Sequence, residues 1–481
     1  MKFSTEHKNI LKVVCCFAKS KKVKLYLVGG VLRDMILGRE KQNPDFDFAI
    51  RRGAINFGRN LAKDMRAGFV VLDKEHGACR IVKKLEGKFC TLDFTDFRGK
   101  DLEDDLLHRD FTINSLALEL EKVFSDGDLT NSLIDLYGAR VDLKKKLVRV
   151  VGKKSLSEDP LRILRAFSFA SILGFKIDRE TLKSAKLERN KLLGTSGERI
   201  RDELFKIFDS QNTFSFLDAL DKLKILEIIF PEIKKMRGIG KGAYHHLDVW
   251  QHTLETVKQL EIIIDEHRKN EEVQNYLNEI ISSERRRFAL IKLGAFLHDI
   301  GKPKAMRRLK KKIIFHGHER VGLGLTEDIA KRLKLSNDEI NSLRLMVLCH
   351  LRPGYLADTA TPTARAKFRF FRDCRHEAVS TLLISLADQR ATKGPLTTKA
   401  SRVQHEKVVS GLIREHYRKK KNKKAPRFLN GNDIMKQFKL EPSKLIGEIL
   451  FEIEELQAIG KVKSRPDAFK AAGVFIKSKQ K

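Results

Sequence analysis

The sequence predicts an α+β protein in which a mixed α/β opening section is followed by a chain that is helical almost throughout. Three observations carry this expectation. Up to about residue 150, short β-rich runs broken by glycine alternate with stretches of helical apolar spacing. From about Ser155 onward the apolar positions recur with a 3.6-residue period and strand signals become few. The length, 481 residues, is enough for about three domains at roughly 100 to 200 residues each, which excludes one compact module.

Residues 22–28 (KVKLYLV) read as a strand that stops at Gly29-Gly30, and residues 31–37 then take helical spacing. Residues 45–50 (DFDFAI) read as a second strand, with Phe46 and Phe48 on one face and Asp45 and Asp47 on the other. Further strands are expected at 69–72, 78–82 and 89–94, and helices at 55–65 and 111–120. Residues 160–173, 198–208 and 213–223, and the stretches after His252, carry helical periodicity. The expected organisation is a head over 1–150, a helical neck over 151–240, a helical metal-binding domain over 241–400 and a basic helical segment over 401–481. No internal repeat of fixed period is present.

Lys and Arg number 96 against 63 Asp and Glu, a formal net charge of +33. An excess of that size points to an anionic partner: RNA, DNA or a membrane surface. With 42% hydrophobic and 33% charged residues and only 10 prolines, the chain is globular; collagenous, mucin-like and low-complexity classes drop out. No run approaches the roughly 18 apolar residues of a membrane span, and the opening MKFSTEH is too polar for a signal peptide. A cytoplasmic protein with no membrane partner is the expectation. The six cysteines form no CxxC pair and read as reduced core residues.

Asp45 and Asp47 stand two apart on one strand, so both carboxylates project to the same side and repel unless a cation sits between them. Oxygen ligands suit Mg²⁺, which can orient a hydroxyl and a nucleoside triphosphate for in-line transfer. A DxD pair alone is also what two solvated acids at a strand end look like. The preceding Gly29-Gly30-Val31-Leu32-Arg33-Asp34 makes it specific, because two glycines at a strand-to-helix turn let backbone and Arg33 approach a triphosphate. Arg109-Asp110 opens the apolar run FTINSLA and suits a ribose or phosphate. In Glu158-Asp159-Pro160-Leu161-Arg162-Ile163-Leu164-Arg165, the acid and the two arginines are spaced by three along one expected helix face. That face reads either as a surface ion pair or as a carboxylate and guanidinium fork for the edge of adenine or cytosine.

These motifs, with Glu198-Arg199-Ile200-Arg201-Asp202-Glu203-Leu204, in this order and spacing, resemble those of the class II tRNA nucleotidyltransferase and bacterial poly(A) polymerase superfamily over residues 25 to about 230. The resemblance implies a polymerase-β-like head and helical neck, with Asp45 and Asp47 as catalytic metal ligands. It implies Gly29, Gly30 and Arg33 at the triphosphate, Arg109 and Asp110 near the ribose, and Asp159 with Arg162, flanked by Arg165, as the template for the incoming base. His108 departs from the family, which usually has a second arginine there. Asp93 is an additional acid outside this set.

His298-Asp299 ends an apolar helical stretch, with His252 upstream and Asp388 downstream. Four such groups in apolar helices are hard to bury without a cation. The H…HD…D set resembles the HD superfamily of metal-dependent phosphohydrolases, with Phe315-His316-Gly317-His318-Glu319 and Cys349-His350 supplying the extra histidines many members use. It implies a divalent transition metal, of unspecified identity, activating water against a phosphoester. Beyond residue 400, residues 428–434 and 442–450 resemble the C-terminal segment of HD-containing tRNA nucleotidyltransferases, apart from Ser443-Lys444. The adjacent lysines, Lys419, Lys420, Lys421, Lys423 and Lys424, suit a grip on the tRNA body or a solvated loop.

The function expected is template-independent addition of CCA to tRNA 3′ ends from CTP and ATP with Mg²⁺. A-only or CC-only addition stays open. Poly(A) polymerase ranks lower, because no arginine-rich strand follows the acids between Arg66 and Val82. An HD phosphohydrolase with a merely RNA-binding head is disfavoured by the intact acids at 45 and 47.

Overall fold

The computed structural model describes residues 3–39, 45–85, 88–125, 129–241, 246–309, 312–359, 361–394, 397–421 and 427–479. The chain forms two compact units: Met1–Ile207 with Lys222–Ile229, and Phe208–Asp221 with Phe230–Lys481.

The first unit is built on a seven-stranded mixed sheet. Its strands are β1 (Leu25–Val28), β2 (Asp45–Ile50), β3 (Gly68–Asp73), β4 (Ala78–Leu85), β5 (Lys88–Asp96), β6 (Leu116–Glu119) and β7 (Leu133–Asp135), in the spatial order β3-β4-β5-β2-β1-β6-β7. Within this sheet, among the described residues, only β2 and β5 pair in parallel. Alternation along β2 sends Phe46 and Phe48 into the core; Phe48 and Phe94 stack with centroids 4.8 Å apart. Each fully buried phenylalanine contributes roughly 1.5 to 3 kcal/mol, so β2 is anchored by one face while the other face carries its acids. On the opposite face of the sheet, Val28, Ala49, Leu106 and Ala117 form a second, smaller cluster.

One expectation is corrected. Residues 111–120 are not a helix: a single 3₁₀ turn at Thr112–Asn114 leads directly into β6. Leu116, Ala117 and Leu118 are fully buried between β1 and β7. An apolar run buried on both faces has no alternation to distinguish it from a buried helix. A second correction concerns the helix expected from Pro160: it spans Arg162–Leu173, and Asp159 precedes it in extended backbone (φ −136°, ψ 100°). Asp159, Arg162 and Arg165 therefore do not share one helix face.

The second unit is helical apart from the hairpins Ile280–Ser282/Arg285–Arg286 and Arg307–Leu309/Lys312–Ile314. Phe296 gathers Phe230 at 5.0 Å, Trp250 at 5.5 Å and Phe208 at 6.0 Å. Toward the C-terminus, Ile434, Ile449, Ile453, Val462, Ala468 and Ala472 build a smaller core of their own. All six cysteines are free and, Cys16 apart, buried. Among the described residues no helix is long and apolar enough to cross a membrane.

Candidate active site

In the first unit, Gly29, Gly30, Arg33, Asp45, Asp47, Arg109, Asp110 and Arg165 line one cleft of about 690 Å³, a volume suited to a nucleotide-sized ligand. Antiparallel pairing places Val28 opposite Asp47, so the turn after β1 passes directly beside the acids. Gly29 has φ +77°, and a Cβ there would stand 3.2 Å from Asp47 Oδ2 and 3.4 Å from an Arg109 guanidinium nitrogen. Only glycine meets both demands without strain. The Thr91 hydroxyl donates to Asp45 Oδ1.

The arginines of the cleft are held by hydrogen bonds and ion pairs with nearby side chains. Arg33 donates to Asn114 Oδ1 (2.6 Å) and to Asp34 Oδ1 (2.9 Å), and Arg109 donates to Asp105 (3.0 Å). Asp110 accepts from the Phe111 N–H (2.8 Å) and Asn114 Nδ2 (3.0 Å), and Arg165 stands 2.8 Å away. Burial works to raise the Asp110 carboxyl, but the Arg165 charge and these donors override it and hold it below the usual range. Asp110 is therefore an anion at neutral pH.

Asp159 and Arg162 do not line this cleft. Asp159 pairs with Arg199 at 2.8 Å. Arg162 is buried and donates to the His108 carbonyl (2.7 Å), Ser155 Oγ (2.9 Å) and the Arg109 carbonyl (3.3 Å). His108 stands 3.4 Å from Glu158. The structure thus brings Arg165 to the cleft while Arg162 braces the segment that carries Arg109 and Asp110.

The second unit gathers His252, His298, Asp299 and Asp388 from three helical segments. Asp248 caps helix Val249–Glu266 by accepting from the Gln251 N–H (2.7 Å), which fixes His252 in its first turn. His298 and Asp299 follow helix Arg287–Leu297. His252 Nε2 lies 2.9 Å from Asp388 and 3.6 Å from Asp299; His298 Nε2 lies 3.2 Å from Asp299. His318 and His350 complete the cluster, with Nε2 atoms 3.2 and 3.8 Å from Asp299. Gly301 permits this approach, because a Cβ there would stand 2.1 Å from the His318 carbonyl oxygen.

Two ligand-like groups result, His252/His298/Asp299 and Asp299/His318/His350, sharing Asp299. Burial alone would raise the Asp299 carboxyl, but His298 and Lys302 hold it well below its ordinary value. Burial, with His298 beside it, pushes His350 down to about 3. Burial would lower His298, but Asp299 raises it, so of these two imidazoles it is His350 that is neutral, the ligating form. His298 Nε2, buried and aimed at the acids, makes no hydrogen bond among the described residues. The donor set therefore fits a divalent cation.

Of the basic residues expected beyond 400, Lys419 lies in the last turn of helix Lys399–Lys421, paired with Glu415 at 2.7 Å and 5.5 Å from the Phe371 ring centre. Lys420 and Lys421 belong to the same helix. Lys423 and Lys424 lie outside the described residues.

Residues 25–149 match the family described as Poly A polymerase head domain, 174–236 the Probable RNA and SrmB- binding site of polymerase A, and 249–393 the HD domain. The A-adding tRNA nucleotidyltransferase of Deinococcus radiodurans is 30% identical over 455 residues, covering 92% of this chain and 93% of that protein. The chain belongs to the tRNA nucleotidyltransferase family. The CC-adding tRNA nucleotidyltransferase of Geobacter sulfurreducens is 28% identical over 448 residues, 92% of this chain and 90% of its own. The solved structure of the Thermotoga maritima CCA-adding enzyme complexed with tRNA shares the fold, with a TM-score of 0.64 at 21% identity over 99% of this chain and 96% of that one.

Several cleft residues of this nucleotidyltransferase escaped the sequence reading. Arg80 grips Asp93 through two hydrogen bonds of 2.8 and 2.7 Å, and Asp93 pairs in register with Asp47. Phe169 has Arg33 and Arg165 at 5.2 and 5.4 Å from its ring centre. Lys206 and His7 also line the cleft. Cross-strand register and helix-to-sheet packing bring them there, and no local pattern signals either.

Proposed function

We propose that this nucleotidyltransferase builds or repairs the 3′-terminal CCA of tRNA, using CTP and ATP without a nucleic-acid template. The observation that carries the reading is the single cleft in which Asp45 and Asp47 meet Arg33, Arg109 and Asp110. Asp45 and Asp47 offer only oxygen donors and would hold Mg²⁺, which supplies charge neutralisation and an activated hydroxyl when bound. Arg33, fixed by Asn114 and Asp34, holds the triphosphate; Arg109 and the anionic Asp110 orient the ribose. The RNA 3′-oxygen bonds to the α-phosphorus as the bond to the β-phosphate oxygen breaks, and pyrophosphate leaves. Arg165 is the cation presented to the base at the cleft, and Asp159 and Arg162 bear on base selection from outside it, Arg162 by holding the segment that carries Arg109 and Asp110. The basic run of Lys419, Lys420, Lys421, Lys423 and Lys424 holds the RNA.

In the second unit, His252, His298, Asp299 and Asp388, with His318 and His350, would hold a divalent transition metal, since imidazole favours softer ions than the all-oxygen head. Bound there, it supplies an activated water for phosphoester hydrolysis. The 30% identity with an A-adding relative favours a second reading, addition of the terminal A alone. Incubation with tRNAs ending before CCA, after C and after CC, each with labelled CTP or ATP, separates the two.

A further inference from the structure

The second unit holds a cavity of about 940 Å³ to which none of the metal-site residues contributes. Six arginines line it, of which Arg287 pairs with Glu279 and Glu377, Arg344 with Glu327 and Arg427 with Glu454. Two of those arginines share one acid: Arg352 lies 2.5 Å and Arg372 2.7 Å from the carboxylate of Asp373. One positive charge there is left over.

Arg375 adds a second, independent observation. It follows helix Ala364–Cys374 with φ +50° and ψ −128°, a region that favours glycine. Its side chain is exposed and makes no hydrogen bond or ion pair among the described residues. An arginine held in a glycine conformation, its guanidinium lining the cavity and pairing with no described residue, costs stability and returns none through its own contacts. Across the cavity, Phe451 is 53% exposed, with the Arg372 guanidinium 5.3 Å from its ring centre. An exposed ring backed by a guanidinium is a platform on which nucleobases stack.

We propose that this cavity binds a nucleotide, its base against Phe451 and Arg372 and its phosphate on Arg375 and Arg352. The nucleotide comes either free or as an unpaired unit of an RNA strand. The cavity is a binding site distinct from the cleft of the first unit.

The test uses the full chain carrying Phe451→Trp, which places an indole in the cavity; the natural Trp250 is buried. Titration with adenosine 5′-monophosphate and, separately, with a short single-stranded oligoadenylate should quench this reporter saturably with at least one probe. Saturation by the monophosphate identifies a free nucleotide, and saturation by the oligomer alone identifies RNA. Arg375→Gly in the same background should weaken binding by roughly tenfold, the loss of one charge-assisted contact, while its melting temperature stays level or rises as the backbone relaxes. Dialysis of the labelled probe against wild type and Arg375→Gly, both with native Phe451, should show the same roughly tenfold weakening of one site per chain. No saturable quenching with either probe, or equal affinity in Arg375→Gly and its parent, overturns the proposal.

Discussion

Gly29 lies against Asp47: a Cβ added to the glycine would come within 3.2 Å of the Asp47 carboxylate, at a backbone φ of +77°. Gly29→Ala therefore strains the turn by about 1 to 3 kcal/mol and displaces one of the two acids. The expected outcome is a drop in kcat of at least tenfold with a melting temperature lower by only a few degrees. Steady-state kinetics beside a thermal melt checks it; full activity in the variant would remove the close approach from the chemistry.

Arg162→Ala, with Asp159 in place, should relax selection against UTP and GTP more than it weakens triphosphate binding. Arg162 donates to the carbonyls of His108 and Arg109, so the variant also loosens the segment holding Asp110, and kcat falls with every nucleotide. Relative kcat/KM for the four triphosphates is the measurement. A uniform fall with unchanged preference means that Arg162 is only a brace and not part of the base template.

Much of the first site was legible because its chemistry is local. The glycine turn, the DFDF alternation and the Arg109-Asp110 pair each lie within a few residues of chain, and the β2 register carries Asp45 and Asp47 to the β1 turn. What stayed hidden depends on contacts across the fold. Arg80 reaches the cleft through its grip on Asp93, which parallel pairing sets beside Asp47, and Phe169 in FSFAS looks like any core aromatic until Arg33 and Arg165 close on it. The run at 111–120 misled because a strand buried on both faces loses the period-two signal. Asp159 left the expected helix face because the helix proper starts only at Arg162.

Asp299→Ala should release metal from the second unit and abolish any metal-dependent phosphoesterase activity, because both ligand groups share this carboxylate. Nucleotide addition should persist. Metal content per chain, a small phosphoester assay with added transition metals and tRNA extension with Mg²⁺ are read on one preparation. Loss of addition by a folded variant would show the two activities to be coupled.

Lys292 is buried, donating to Ser210, Thr213 and Glu261, and burial pushes its amine down to about 8. Between that value and the ordinary value of 10.5 the unfolded chain binds more protons than the folded one. Its contribution to stability therefore rises with pH across this window. Lys292→Met removes the dependence, so urea unfolding of the two proteins from about pH 7 to pH 10 should show wild type gaining on the variant as pH rises. A constant gap would place the amine's titration outside that window.

The central claim is that Asp45 and Asp47 carry nucleotide addition to tRNA, and single-turnover extension tests it most directly. Wild type should extend tRNAs ending before CCA, after C and after CC to the mature end with CTP, ATP and Mg²⁺. Asp45→Ala and Asp47→Ala should bind the same tRNAs with nearly unchanged affinity and add nothing measurable, because loss of a metal ligand costs several kcal/mol of transition-state stabilisation. Turnover above a few per cent of wild type in both variants, or no extension of any of the three tRNAs by wild type, would contradict the account.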